Sequence, residues 1–445
     1  MSIRLEMLEA AARGARTLND APPEGWDGDA VCRHGGTPKS AWGCLGPSGN
    51  QGHPQADLGV PPEHGDKQRL HATLAFVLSR RCDDGGFRGR GDRSDLYYTT
   101  FAAQTLCALV LCQTSLDGSG EPRPEGSGLG CWLLDGHGKT APYQSRLAGL
   151  PEGFRSYLAG FRDLQSLGLV NLCCLIRCWA CLGIDSLDPA GRQAMRETVY
   201  SHRSGDGGFA IHPGLSGGSA YGCFLALSAL QDLGDAAVAP GGAVAAGLVA
   251  CVLSLRRPEG GFANEDSVPI AMAPSTAAAI MVLTQTAGAI GGDGQGWPPP
   301  ITEKIVRESI VSAAEWLRSS RRADGGFGIV EGIDSDLLST ATALHALASV
   351  KTVIGNPNGA DRQARQPHLE NDGGQAGSDF GLPVGAVERS ERKSPGHQAE
   401  TSSPRDLARK YILGLRERGG FCGGAADRTC DCEYTFYGLL ALGHL

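Results

Sequence analysis

The 445-residue chain has no run of roughly 18 uninterrupted apolar residues, the least a helix needs to cross a bilayer. Its opening stretch, MSIRLEMLEAAARGARTL, is amphipathic and lacks both the continuous apolar segment and the small-residue cleavage site of a secretory signal. These two absences lead to the expectation of a cytoplasmic protein without a transmembrane segment. Positive charge is also short: 40 Lys and Arg stand against 48 Asp and Glu, a net charge of -8. A nucleic-acid binder replaces counterions on phosphates with a basic face, so general nucleic-acid binding is excluded and any basic site must be local. Aromatic residues make up only 6%. The chain has 15 cysteines, yet no CxxC pair stands beside another in zinc-ribbon spacing. Eight of them (Cys107, Cys112, Cys173, Cys174, Cys178, Cys181, Cys223 and Cys251) fall in apolar helix-like runs, where a reduced thiol packs as a small hydrophobe.

Glycine is abundant. The 65 glycines are about twice the ordinary share, which points to many turns and some unfolded insertions. The clearest recurring unit runs from Asp324 to Val350. A Gly325-Gly326 pair supplies backbone freedom, Phe327 offers a plug beneath the turn, and Ser335 or Asp336 can cap a following helix. Leu337, Leu338, Ala341, Leu344, Leu347 and Ala348 then recur at steps of three and four, the stripe of a buried helix. One such unit cannot bury its own apolar face, so it requires neighbours.

Four more GGF turns follow the same plan, at Gly85-Gly86-Phe87, Gly207-Gly208-Phe209, Gly260-Gly261-Phe262 and Gly419-Gly420-Phe421. Amphipathic helices are expected before the turns, over Lys67 to Arg81, Pro189 to Ser201, Ala243 to Arg256, Glu303 to Arg321 and Leu407 to Glu417. Apolar helices are expected after them, closing near Cys112 in the first unit and covering Ser219 to Leu233, Ser275 to Thr286 and Glu433 to Leu445 in later ones. Leu164 to Leu182 reads as an apolar helix that has lost its turn, preceded by a moderately helical Tyr143 to Gly160. Residues 1–21 read as an N-terminal helix. Residues 22–66, 113–142 and 356–404 are rich in Gly and Pro or in polar residues, without periodicity, and are expected to be disordered insertions in a barrel spanning 67–445. Six apolar and six amphipathic helices in alternation suit an all-α, closed double-walled barrel, an α6/α6 toroid with the apolar helices inside.

The five GGF turns, each about ten residues ahead of a helix cap, resemble the repeats of protein prenyltransferase β subunits, geranylgeranyltransferase-like, and of squalene and terpene cyclases. The resemblance implies an α/α-barrel whose cavity holds an isoprenoid, with its diphosphate near a basic rim. It further implies a zinc ion held by Asp, Cys and His, and a helical α-type partner subunit. Laid on this chain, the Asp-x-Cys positions of the family fall on Asp336 and Leu338, and its two basic loop positions on Val330 and Ile333. The last-repeat Asp falls on Asp431, its His on Tyr434, and the diphosphate-binding His near Ala271. One of the three zinc ligands survives, whereas a catalytic zinc site needs three protein ligands and an open position. A substitute set would draw on Asp336 with Asp431, Cys432 or Cys430.

Helix N-termini gathered at one rim favour anions there. Arg88, Arg90 and Arg93, on the loop after the first turn, are therefore the diphosphate candidates, with His202 and His212 flanking the second turn. Tyr97, Tyr98, Tyr221, Trp179, Tyr434 and Phe436 are candidates for the cavity lining, or for ordinary core packing. Three functions remain open. One is prenyl transfer from a diphosphate to an acceptor, with Asp336 and Tyr434 in the catalytic position. Another is class II cyclisation, in which Asp334 and Asp336 raise one another's pKa and hold a proton. The third is non-catalytic isoprenoid binding.

Overall fold

The computed structural model describes residues 2–19, 66–116, 150–287, 301–354 and 402–445. The stretches read as insertions lie for the most part outside these residues. Helix α2 (Asp66–Leu78), helix α3 (Leu96–Leu116) and helix α12 (Pro404–Gly414) each reach a short way into them.

Each turn is built from the same few bonds. The first glycine takes a left-handed backbone, with φ of 93° at Gly85, 86° at Gly207, 102° at Gly260, 86° at Gly325 and 88° at Gly419, where a side chain would be strained. In three of the five turns the second glycine's N–H is held by the aspartate two residues earlier: Gly86 by Asp84 at 3.0 Å, Gly208 by Asp206 at 3.0 Å and Gly326 by Asp324 at 2.9 Å. All five phenylalanines are fully buried. A buried N–H needs a partner, and the phenylalanine finds one on the next helix. Thr99, Thr276, Thr340 and Thr435 accept from Phe87, Phe262, Phe327 and Phe421 at 2.8, 2.9, 3.0 and 3.2 Å, and Cys223 Sγ accepts from Phe209 at 3.4 Å. The turn is thereby bolted to the helix it introduces.

Those helices form the inner wall: α3, α5 (Leu169–Leu182), α7 (Ala220–Asp232), α9 (Ala273–Ala287), α11 (Leu337–Ile354) and α13 (Cys432–Leu442). Each packs on the next, and α13 returns to α3, so the ring is closed. The outer helices α2, α4 (Leu150–Ala159), α6 (Pro189–Tyr200), α8 (Ala245–Ser254), α10 (Glu303–Ser319) and α12 back them one for one. A three-stranded antiparallel ribbon, β1 (Arg416–Glu417), β2 (Gly420–Cys422) and β3 (Cys430–Asp431), replaces the simple turn of the last repeat. The all-α toroid is thus the observed architecture. The eight cysteines expected in the core are all buried.

Leu164 to Leu182 is not one helix. A 3-10 turn at Leu164–Ser166, capped by Asp163, is separated from α5 by Gly168, whose extended backbone (φ -66°, ψ 161°) interrupts the helical run. Helix α1 (Ile3–Asn19) is additional to the six pairs. It lies against the C-terminal ends of the inner helices: Ile3 N–H donates to Gln231 at 3.0 Å, Gln285 to Glu6 at 2.6 Å, and Arg13 to the Gly443 carbonyl at 3.3 Å. Contact with α13 is backbone to backbone. A Cβ on Gly14 would fall 1.7 Å from the Leu439 oxygen, and one on Gly443 1.8 Å from the Ala10 oxygen.

Candidate functional site

At the opposite end, the inner-helix N-termini surround a mouth. Asp431 caps α13, with Oδ1 accepting from Tyr434 N–H at 2.9 Å and Oδ2 from Arg90 Nε at 3.0 Å. Its side chain is fully buried, and that burial raises its pKa against the pull of the Tyr434 N–H and Arg90. Arg90 also pairs with Asp427 at 2.7 Å and lies over the Tyr434 ring at 5.7 Å. Hence the guanidinium at the mouth is already shared by two carboxylates.

Glu433 lies two residues into α13. It is buried, and desolvation pushes its carboxyl up to about 7 despite the Tyr97 hydroxyl, which donates to it at 2.6 Å. Tyr97, Tyr221 and Tyr437 are surrounded by protein, yet each keeps part of its surface accessible. Phe101 stacks among them, 5.0 Å from Tyr97 and 5.4 Å from Tyr437 between ring centroids.

Asp336 provides a third raised carboxyl. It caps α11 through Ser339 N–H at 2.7 Å, is half-buried, and is pushed up to about 6 by desolvation even though backbone N–H groups favour its charged form. The neighbouring Leu337 N–H donates to Gly423 O at 2.8 Å, which ties this cap to the loop between β2 and β3. Neither Asp336 nor Glu433 has an ion-pair partner among the described residues.

The other expected residues divide. Tyr434 and Tyr98 belong to the mouth, where each feels Asp431, Glu433 and Arg90. Asp334 is exposed, and Ser335 bonds Asp324 at 2.8 Å rather than capping α11, so only Asp336 of the expected carboxylate pair serves the site. Arg88 is half-buried, Arg93 is exposed, and neither joins Arg90 in its ion pairs. His212 is exposed, while His202 is buried against the Ala210 carbonyl at 3.2 Å. Trp179 and Phe436 are core residues.

Asp336, Asp431 and Cys432 do not make a zinc site. Both Asp431 oxygens already accept hydrogen bonds, from Tyr434 N–H and from Arg90, and Cys432 is buried. Among the described residues no group of three His, Cys, Asp or Glu could hold a metal ion. The residues present therefore do not fit the metal that the resemblance implies.

Sequence reasoning missed Glu433, Tyr437 and Asp427. A signal for the first was available: one acid in the otherwise apolar inner run CEYTFYGLLAL. Asp427 carries no such mark, because its role depends on Arg90, far away in sequence.

A family model of the prenyltransferase alpha-alpha toroid domain matches residues 56–120 and 152–371, more than half of the chain. No curated protein sequence matches. Among solved structures, a protein from Actinoplanes is 15% identical at a TM-score of 0.42, covering 85% of this chain and 98% of that one. The type II terpene cyclase MstE from Scytonema is 14% identical at 0.34, over 64% and 99%. ent-Copalyl diphosphate synthase from Streptomyces platensis is 14% identical at 0.25, over 85% and 91%. Likenesses this distant carry no argument about activity. Among the described residues no helix is long and apolar enough to cross a membrane.

Proposed function

The chain belongs to the prenyltransferase alpha-alpha toroid domain family, and from that premise we propose that it holds an isoprenoid among its tyrosines and isomerises it by carboxylic-acid protonation. The observation that carries this reading is the pair of carboxyls, Asp336 raised to about 6 and Glu433 raised to about 7, the latter near a cation already shared by two carboxylates. A carboxyl in that range is partly protonated at neutral pH and can both give and recover a proton. Asp336, accessible from the mouth, gives its proton to an alkene or epoxide of the isoprenoid. An internal double bond closes on the resulting cation, whose charge is stabilised by the faces of Tyr97, Tyr221 and Tyr437. Loss of a proton to the Glu433 carboxylate leaves a product isomeric with the substrate. Such a reaction requires neither zinc nor a partner subunit.

Prenyl transfer from a diphosphate is the second reading. One observation favours it: Arg88 Nε, on the same loop as Arg90, is buried without a hydrogen-bond partner among the described residues. Against it, a diphosphate would have to displace Asp427 or Asp431 to reach the paired guanidinium.

Native mass spectrometry with farnesyl and geranylgeranyl chains, as alcohols, epoxides and diphosphates, tests binding; product analysis with the Asp336→Asn and Glu433→Gln variants tests chemistry. The expected result is an isomeric product from the wild type, at least a hundredfold less from Asp336→Asn, and ligand still bound by both variants. Transfer to an added thiol or amine acceptor, undiminished in Asp336→Asn, would establish the second reading instead. Failure of every isoprenoid to bind would remove both.

A further inference from the structure

The ribbon of the last repeat places two cysteines directly opposite each other. In its register Cys422 faces Cys430, and the two Sγ atoms are 2.8 Å apart. The Cys422 N–H turns the other way, to Leu415 O at 2.9 Å on the far side of the strand. Cys422 and Cys430 are therefore a non-hydrogen-bonded pair, the kind whose Cα atoms approach to about 4.5 Å. That spacing lies within the range a disulfide can span. Of the two thiols Cys422 is buried and Cys430 half-buried, so the pair is reachable from one side. Its hydrogen bond from Cys430 and the charge of Arg428 lower the pKa of Cys422, which favours the thiolate that reacts.

What the pair would control follows from the loop it brackets, residues 423–429. This loop carries Asp427, the partner of Arg90. It also carries Gly423, whose carbonyl receives the Leu337 N–H beside Asp336 and whose Cα lies against the Tyr434 ring. At its base Arg428 donates to the Gly414 carbonyl at 2.9 Å and pairs with Glu417 at 3.6 Å.

We propose that Cys422 and Cys430 close to a reversible disulfide on exposure to a peroxide, and that this bond tethers the 423–429 loop at the mouth of the barrel. A thiolate attacks the peroxide to give a sulfenic acid, and the second sulfur displaces its hydroxyl. In sum two thiols lose two hydrogens and two electrons, and one hydrogen peroxide becomes two waters. A dithiol reductant reverses the step.

The full chain treated with equimolar hydrogen peroxide, alkylated, digested and mapped by mass spectrometry should yield a peptide linking Cys422 to Cys430 that dithiothreitol removes. Hydrogen exchange over 423–429 should slow severalfold on oxidation of the wild type and stay unchanged in Cys430→Ser, whose half-buried site tolerates the hydroxyl. Cys82→Ser, at the other half-buried thiol among the described residues, should leave the link intact. The proposal is overturned if Cys422 and Cys430 are recovered separately alkylated while other thiols oxidise. It is overturned equally if Cys430 proceeds to sulfinic acid without a link, if the link vanishes in Cys82→Ser, or if the linked protein exchanges over 423–429 as fast as the reduced one.

Discussion

The two ends of the barrel hold buried charge in opposite proportion. At the α1 end one carboxylate serves two cations: Asp232 accepts from Arg4 at 2.8 Å and from Arg177 at 2.6 Å, and Arg177 bonds Gln104 at 3.1 Å and also Ser228. At the mouth one cation serves two carboxylates, and two further acids have no ion pair among the described residues. The polarity of the inner helices accounts for both. Their C-termini, with partial negative charge, meet the extra arginine; their N-termini, with partial positive charge, meet the extra carboxylates. The ends differ in what is left over. Every charged group of the α1 cluster is spoken for, whereas the mouth keeps two carboxyls able to exchange a proton.

The first way to break this comparison is Asp232→Asn, which leaves two arginines buried without their counter-charge. Unfolding free energy should fall by about 3–5 kcal/mol, measured by denaturant melts, and a fall below about 1 kcal/mol would mean that the α1 cluster does not secure this end. Gly14→Ala follows: a Cβ 1.7 Å from the Leu439 oxygen forces α1 off α13 and should cost about 3 kcal/mol. Melting points of the two variants, alone and combined, check whether they release the same helix.

At the mouth the sign reverses. Glu433 has a folded pKa of about 7 against an ordinary 4.5, so the folded chain binds its proton more tightly than the unfolded chain. That contribution is fully present below about 4.5 and is lost as pH rises through 7. Glu433→Gln should therefore be more stable than the wild type at pH 8, by about 2–3 kcal/mol, and lose its advantage as the pH falls towards 4.5. A variant less stable than the wild type at pH 8 would contradict the desolvation account. Arg93→Ala should be smallest, within about 0.5 kcal/mol at any pH, because Arg93 is exposed at the rim. A larger change in the melt would bring Arg93 into the cluster.

The barrel was largely legible because its signals are local. Glycine pairs, a following phenylalanine and stripes at steps of three and four recur within each unit, and the structure realises them at Phe87, Phe209, Phe262, Phe327 and Phe421. The bonds from Phe N–H to threonine were equally local, yet escaped notice because threonine in a helix carries no strong signal of its own. Asp336 as a cap could be read; its raised pKa could not, since desolvation depends on which helices surround it. In the sequence the arginine loop shows only its charge, which points to an anion site. Arg90 is bound 341 positions away to Asp431, a pairing that no local pattern announces. The role of α1 was illegible for the same reason.

Helix α1 also sets an order of events during synthesis. The Arg13–Gly443 bond spans 430 positions, and Gly14 must meet a helix whose last turn is made only after the other inner helices. Helix α1, which precedes every helix of the ring in the chain, therefore waits, its buried face uncovered, until the ring has closed behind it. Contacts of such sequence separation carry a loop-closure cost before they return any stability and are formed slowly. The barrel is finished by a helix made before any of its ring, and the nascent chain is most exposed to aggregation or to a chaperone in the interval between making α1 and seating it.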